Sequence, residues 1–236
     1  MRLDRFLAEC GLGTRTEVKK IIRTGAVSVN GKCVSKGDVH VEPKTDEVEV
    51  FGKVIEYREF IYLMLNKPQG YISATRDGRT LTVMDLVPEE YLHFEPFPVG
   101  RLDIDTEGLL LLTNDGNLAH NLLSPRKHIP KTYIAEVLKP VIKEDIYSFS
   151  QGVILDDGYK TLPAELRILS DSEPYMAEIT ISEGKFHQVK RMFEAIDNKV
   201  LYLKRIKMNR LSLDESLELG EVRELTEDEL PLLRLD

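Results

Sequence analysis

Cysteine is nearly missing from this chain: the two present, Cys10 and Cys33, have neither the number nor the spacing of a disulfide framework or a zinc site. Both read as small packing residues in a reduced compartment. Five histidines (His40, His93, His120, His128 and His187) are scattered without metal-ligand spacing, so no metal is expected. No apolar run approaches the ~18 residues that span a bilayer. The N-terminus opens on a charged, amphipathic stretch instead of an apolar signal core. These absences exclude a spanning helix and a disulfide-stapled secreted domain, and lead to the expectation of a cytoplasmic protein with no membrane partner. Internal repeats and low-complexity tracts are absent as well.

Net positive charge is also lacking, since the 236 residues sum to -8. That value argues at first against nucleic acid, because phosphate binding needs Lys and Arg to displace counterions. The distribution of charge along the chain points the other way. Residues 1–36 carry eight basic side chains against three acidic, residues 185–210 eight against two, and the last 23 residues two against nine. Two basic segments in an acidic chain read as localised phosphate-facing surfaces, although charge runs are commonly no more than solvated faces.

The first segment has the pattern of two short helices and a hairpin. Leu3, Phe6 and Leu7 fall at helical spacing up to Gly11, and Thr14 with Glu17 three residues on is a capping box for a second helix ending at Gly25. Residues 26–34 alternate around Asn30-Gly31, a tight-turn pair whose two residues both need positive φ. On the second helix Arg15, Lys19 and Arg23 recur every fourth residue with Lys20 beside them, while Val18, Ile21 and Ile22 face inward. Arg2-Leu3-Asp4, Phe6-Leu7, Thr14-Arg15 and the stretch GAVSVNGKCV resemble the small RNA-binding module of the S-four type ribosomal protein. The resemblance implies an RNA partner for this quarter of the chain, with Arg15, Lys19, Lys20 and Arg23 as the phosphate-facing group.

Residues 42–58 hold one or two strands and lead out of the module. Strands are expected at 61–65, 109–113, 131–138, 164–169 and 177–181, and helices at 117–123 and 186–196. Strands mixed with a few helices indicate an α+β domain around a mixed or antiparallel sheet. The expected organisation is therefore an RNA-binding module at 1–58 and a second domain at 59–236.

The most unusual stretch is a glycine-bounded loop, Gly100 to Gly108, holding Arg101, Asp103 and Asp105 and running straight into Leu109-Leu110-Leu111-Leu112. So apolar a strand has to be buried, which pins the loop to the core. By residue type alone, Asp, Thr and Gly in such a loop are turn formers. The ordered pattern is far more specific. GRLD followed by TEGLLLLTNDG, with LNKP upstream and KTY and EGKFHQVKRMF downstream, resembles the RsuA-like pseudouridine synthases over most of the chain.

The resemblance implies an isomerase that acts on ribosomal RNA without a cofactor. It places Asp103 at the family's essential aspartate, which attacks either the uracil ring or the ribose. Tyr133 takes the position of the tyrosine that packs on the target uracil, and Lys190 that of the basic residue pairing with the aspartate, with Arg191 adjacent as the competing assignment. Arg101 is implied to hold RNA around the extruded nucleotide, and Arg191 is expected among the RNA-binding residues as well. Asp105 and Thr106 read as loop-shaping residues, and His187 as packing or surface.

The substrate expected from closeness to the RsuA branch is a uridine of 16S RNA, with 23S RNA as the alternative. The partner is ribosomal RNA or a partly assembled subunit, and the protein a monomer. Two other classes compete. A noncatalytic ribosome-associated RNA-binding protein is opposed by the intact Asp103, Tyr133 and Lys190. A carboxylate-dependent nuclease would cluster several acidic magnesium ligands, whereas only Asp103 and Asp105 lie close in sequence.

Overall fold

Threonine 14 opens the second helix by the mechanism its spacing predicts. In the computed structural model, which describes residues 1–234, its hydroxyl accepts from the Glu17 backbone N–H at 3.4 Å while the Glu17 carboxylate accepts from the Thr14 N–H at 2.8 Å. Two of the helix's orphan donors are thereby satisfied. The chain divides into two units, Met1–Ile61 with Pro88–Pro96, and Tyr62–Val87 with Phe97 onward.

The first unit holds helices α1 (Leu3–Glu9) and α2 (Arg15–Arg23), and strands β1 (Val27–Val29), β2 (Lys32–Cys33), β3 (Val48–Val50) and β4 (Lys53–Val54). The one-turn helix α3 (Glu89–Leu92) belongs to it as well. Asn30 and Gly31 both have positive φ (50° and 73°), as a two-residue hairpin turn requires, and the sheet order is β2-β1-β3-β4. Leu3, Phe6, Leu7, Val18 and Ile22 from the helices close over Val27, Val48 and Val50. Each contributes about 1.5–3 kcal/mol by leaving water.

The second unit is α+β. Its strands are β5 (Tyr62–Lys67), β6 (Phe97–Pro98), β7 (Glu107–Thr113), β8 (Lys131–Val137), β9 (Glu165–Ser170), β10 (Tyr175–Ile181), β11 (Val200–Met208), β12 (Leu211–Ser212) and β13 (Val222–Glu224). The α-helices α4 (Gly116–Leu123), α5 (Lys143–Gln151), α6 (Gln188–Glu194) and α7 (Leu230–Leu233) accompany them. The strands form one sheet in the order β13-β5-β7-β11-β8-β10-β9, with β6 beside β7 and β12 beside β11. Strands β7 and β11 run parallel, and their neighbours antiparallel. Among the described residues no helix is long and apolar enough to cross a membrane.

The leucine run of β7 is central in the sheet and buried throughout, as its composition demands. Gly108 opens it at φ 99°, and a Cβ there would stand 2.2 Å from the Arg205 carbonyl oxygen. Glycine is thus what allows β7 and β11 to pair where the loop enters the sheet.

Helix α6 is shorter than its apolar spacing predicts. His187 takes a left-handed conformation (φ 49°) and ends the preceding loop, so Phe186 and His187 lie outside the helix. That loop is held from behind by the buried Glu183 carboxylate, which accepts from Gln188 Nε2 at 2.6 Å, Tyr159 Oη at 2.7 Å and the Leu162 N–H at 2.9 Å. The sequence pattern does not mark α5, β11 or β13. In β11 the alternation is masked by Lys204, Arg205 and Lys207, three cations within four residues.

Candidate active site

The Asp103 loop is built from its backbone outward. Lys67, fully buried at the end of β5, donates from Nζ to the carbonyls of Pro68 (3.0 Å), Asp103 (3.1 Å) and Thr106 (3.0 Å). Ser73 Oγ donates to the Leu102 carbonyl and accepts from the Leu102 N–H, each at 3.0 Å. The Ile104 carbonyl accepts from the Gly70 N–H at 2.8 Å, and Thr106 N–H donates back to the Asp103 carbonyl at 3.0 Å. One ammonium, one hydroxyl and two amides thus fix Leu102 to Thr106, and among the described residues the Asp103 carboxylate makes no backbone hydrogen bond.

That carboxylate borders a cavity of about 580 Å³, a volume ordinary for a small-ligand site. Its side chain is 28% exposed, with His187 Nε2 3.7 Å from one oxygen and Lys190 Nζ 3.7 Å from the other. Tyr133 is buried on β8 and lines the same cavity. In the strand register it stands opposite Arg205 of β11, so both side chains share one face of the sheet. Arg101 lines the cavity and is exposed. Asp103, Tyr133, Lys190 and Arg101, scattered over 90 positions, are therefore brought together by a loop, one strand and a short helix.

Lys190 has a closer partner than Asp103. Its Nζ lies 2.5 Å from Asp105, so one ammonium bridges both loop carboxylates. Burial would raise the Asp105 carboxyl, but the hydrogen bond and charge of Lys190 outweigh it and hold the group below the ordinary carboxylate range. Arg191 points elsewhere. Its guanidinium is clamped by Asp156 and by Asp157, the latter at 2.7 Å, and it does not reach Asp103. The ambiguity between the adjacent cations is thus resolved by helix geometry, since consecutive residues on a helix diverge by ~100°.

Sequence reasoning passed over several residues here. His187 carries little signal as one histidine before a helix, yet its left-handed backbone turns the imidazole edge toward Asp103 while its ring stacks on Phe186 at 3.7 Å. Phe186 is 66% exposed at the cavity rim. Lys131 and Arg205 line the cavity from β8 and β11. Only the alternation of β11 could have pointed to Arg205. Lys67 had a signal too, a lysine closing an apolar strand just before proline.

On α2, in the first unit, Arg15, Lys19, Lys20 and Arg23 are exposed along one helix. Lys19 lies 3.6 Å from the buried Asp4, whose carboxyl is held below its usual range chiefly by the Arg2 hydrogen bond. Among the described residues no three His, Cys, Asp or Glu side chains are grouped to hold a metal ion.

Comparison with known proteins returns two families. The family described as RNA pseudouridylate synthase matches residues 61–195, and the S4 domain matches residues 1–48. An uncharacterised RNA pseudouridine synthase of Bacillus subtilis is 55% identical over 99% of this chain and 98% of its own length. Ribosomal small subunit pseudouridine synthase A of Haemophilus influenzae is 42% identical, covering 99% of each chain. Ribosomal large subunit pseudouridine synthase B of Bacillus subtilis is 40% identical over 99% of this chain and 95% of its own. A crystal structure of a pseudouridylate synthase superposes with a TM-score of 0.70 at 41% identity, covering 99% of this chain and 100% of the other.

Proposed function

Because the chain belongs to the RsuA-type family of RNA pseudouridine synthases and is thus an isomerase, we propose that it converts one uridine of 16S ribosomal RNA into pseudouridine, with Asp103 as the reacting carboxylate. The observation that carries this reading is the position of Asp103. Its backbone is immobilised by Lys67 and Ser73 while its carboxylate borders a cavity shared with Tyr133 and Lys190.

The reaction breaks the bond between uracil N1 and ribose C1′, turns the base, and joins C5 to the same carbon, the C5 proton being lost while the freed N1 takes one up. A positioned carboxylate can serve as nucleophile or as proton acceptor. Lys190 Nζ, 3.7 Å away, sets a positive charge beside it. Tyr133 lies where a ring can pack on the uracil, which has to leave the RNA stack to enter the cavity. Arg101, exposed at the rim, is placed to meet RNA around that nucleotide, while Arg191 serves RNA only if phosphate displaces Asp156 and Asp157.

Residues 1–58 supply RNA affinity in this reading, through Arg15, Lys19, Lys20 and Arg23, and residues 59–236 supply the chemistry. The partner is ribosomal RNA or a partly assembled subunit, met by a single chain in the cytoplasm.

Release of tritium from uridine C5 in ribosomal RNA, beside filter binding of the same RNA, tests the catalytic assignment. Asp103→Asn keeps the shape of the side chain but offers neither a useful nucleophile nor a base, so turnover should vanish while binding persists. Ordinary turnover in that variant sinks the assignment. Relatives of comparable identity are named for the small and for the large subunit. Mapping pseudouridines in both ribosomal RNAs of a deletion strain decides between 16S and 23S.

A further inference from the structure

Arg205 is the most deeply buried charged residue lining the cavity, at 2% exposure. Its Nε donates to the Leu109 carbonyl at 2.8 Å, which anchors the guanidinium against β7. Its Nη2 is buried and finds no acceptor among the described protein groups. A buried cationic donor left unmatched is costly, and such groups are normally completed by a partner. The register of β11 on β8 sets Arg205 opposite Tyr133, and Lys131 lies two residues before Tyr133 on the same face. Lys131 Nζ donates to the Ile129 carbonyl at 3.1 Å. Burial, then the charge of Arg205, pushes the Lys131 ammonium down to about 8, so it remains mostly protonated at neutral pH. The sheet face beneath the cavity thus offers two donors, and Arg205 is the more deeply seated.

We propose that Arg205 Nη2, seconded by Lys131, donates to the carbonyl oxygen that the target pyrimidine carries directly opposite its ribose bond, and that this contact selects uracil over cytosine. The inference rests on the uridine-isomerising reading and deepens it by assigning the base-recognition group.

Geometry singles out this contact. Asp103 stands partly open to solvent whereas Arg205 is sealed at the sheet. A nucleotide entering from the RNA has its ribose on the solvent side, so the far edge of its base is the part that reaches Arg205. In a six-membered ring the atom across from N1 is C4, which in uracil carries O4, an acceptor. Cytosine has an amino group there, and its N–H would face a donor in a buried site, an arrangement that repels instead of binding.

The same contact survives the reaction. After isomerisation the ribose is attached to C5, and the atom across from C5 is C2, which carries O2. A donor fixed opposite the ribose bond therefore meets a carbonyl oxygen in the substrate and again in the product. The base can turn within the cavity without leaving the Arg205 donor unmatched at either end.

The test uses the full-length enzyme and three copies of an RNA fragment that it modifies, identical except for uridine, cytidine or an abasic ribose at the target position. Wild type should bind the uridine RNA about 10-fold to 100-fold tighter than the cytidine RNA, the discrimination typical of one well-placed charged donor. Arg205→Met should bind the abasic RNA as wild type does, while its preference for uridine over cytidine falls to near one. A merely structural arginine would shift all three affinities together. Retention of the preference by a folded Arg205→Met overturns the proposal, as does a wild type without any preference.

If Arg205→Met fails to fold, the wild type decides by itself. An RNA carrying pyrimidin-2-one at the target position lacks O4 and the N3 proton, and binding equal to the uridine RNA rejects the assignment. Failure of the underlying reading looks different, because a wild type that releases no tritium from any ribosomal RNA is not a uridine isomerase.

Discussion

Lys67 Nζ donates to the backbone carbonyl of Asp103 at 3.1 Å, so the candidate reacting residue is held by its main chain and not by its carboxylate. The same ammonium binds the Pro68 and Thr106 carbonyls, each at 3.0 Å. A side chain whose function needs free lone pairs is thereby positioned without spending them.

Replacing Lys67 by Met should loosen the loop. Three carbonyls lose their donor, at about 1–3 kcal/mol for each that stays dry, partly offset because a buried ammonium no longer has to be desolvated. Turnover should fall at least ~10-fold, since small misplacements of reacting groups are expensive. Burial pushes the Lys67 ammonium down to about 8, with Asp105, Asp103 and Glu107 opposing. The unfolded chain holds this proton up to its ordinary value, about 10.4. Between those two pH values the unfolded state binds more protons, so the wild type gains stability as pH rises. Below about pH 8 the cost is fully present. Urea unfolding of both proteins at pH 7.5 and 9.5 should show the gap shifting toward the wild type at the higher pH. A constant gap removes the buried-cation account.

Tyr133→Ala should reduce turnover more than RNA affinity. A ring that stacks only on an extruded base is worth about 1–3 kcal/mol, roughly 10-fold to 100-fold in rate, and does little for the rest of the RNA. Tyr133→Phe keeps the ring and should retain most of the stacking gain. Rates at saturating RNA measure this, and unimpaired turnover in the alanine variant rules out the stacking role.

Lys190 bridges two carboxylates, and the two arms are separable. Asp105→Asn should leave turnover within a few-fold, because Lys190 keeps its second partner in Asp103. Lys190→Met should cost on the order of 100-fold, since both carboxylates then lose the ammonium that bridges them. Asp105, with its folded value lowered, contributes stability above its unfolded value that disappears as pH falls through the folded one. The amount should stay under about 1 kcal/mol at so exposed a site. Equal rates for the two variants refute the bridge.

The α2 surface predicts a salt effect. Changing Arg15, Lys20 and Arg23 together to Ala should lower RNA affinity and make the plot of log affinity against log salt shallower by about 2, at roughly 0.7–0.9 per lost phosphate contact. Lys19 is spared because it lies 3.6 Å from the buried Asp4, so that its loss would disturb the fold as well as RNA binding. Turnover at saturating RNA should not change. An unaltered slope means that these cations are only a solvated face.

Local chemistry settled much of this protein from the sequence alone. The Thr14 capping box, the Asn30-Gly31 turn and the buried leucine run of β7 are decided by neighbours in the chain, so their residue types announce them. The boundaries of α6 were not legible, because the left-handed His187 depends on Glu183 and Gln188 fixing the loop behind it. Strand β11 was hidden because three cations break its alternation, and the buried one, Arg205, has a partner that only the sheet supplies, the Leu109 carbonyl of β7. The sequence placed Asp103, Tyr133 and Lys190 as candidates. The tertiary structure alone decided that Lys190 binds Asp105 more closely than Asp103, that Arg191 turns away to Asp156 and Asp157, and that Arg205 stands beside Tyr133. Those relations are set by strand register and loop closure between segments far apart in the chain, and over such separations residue type carries no information about direction.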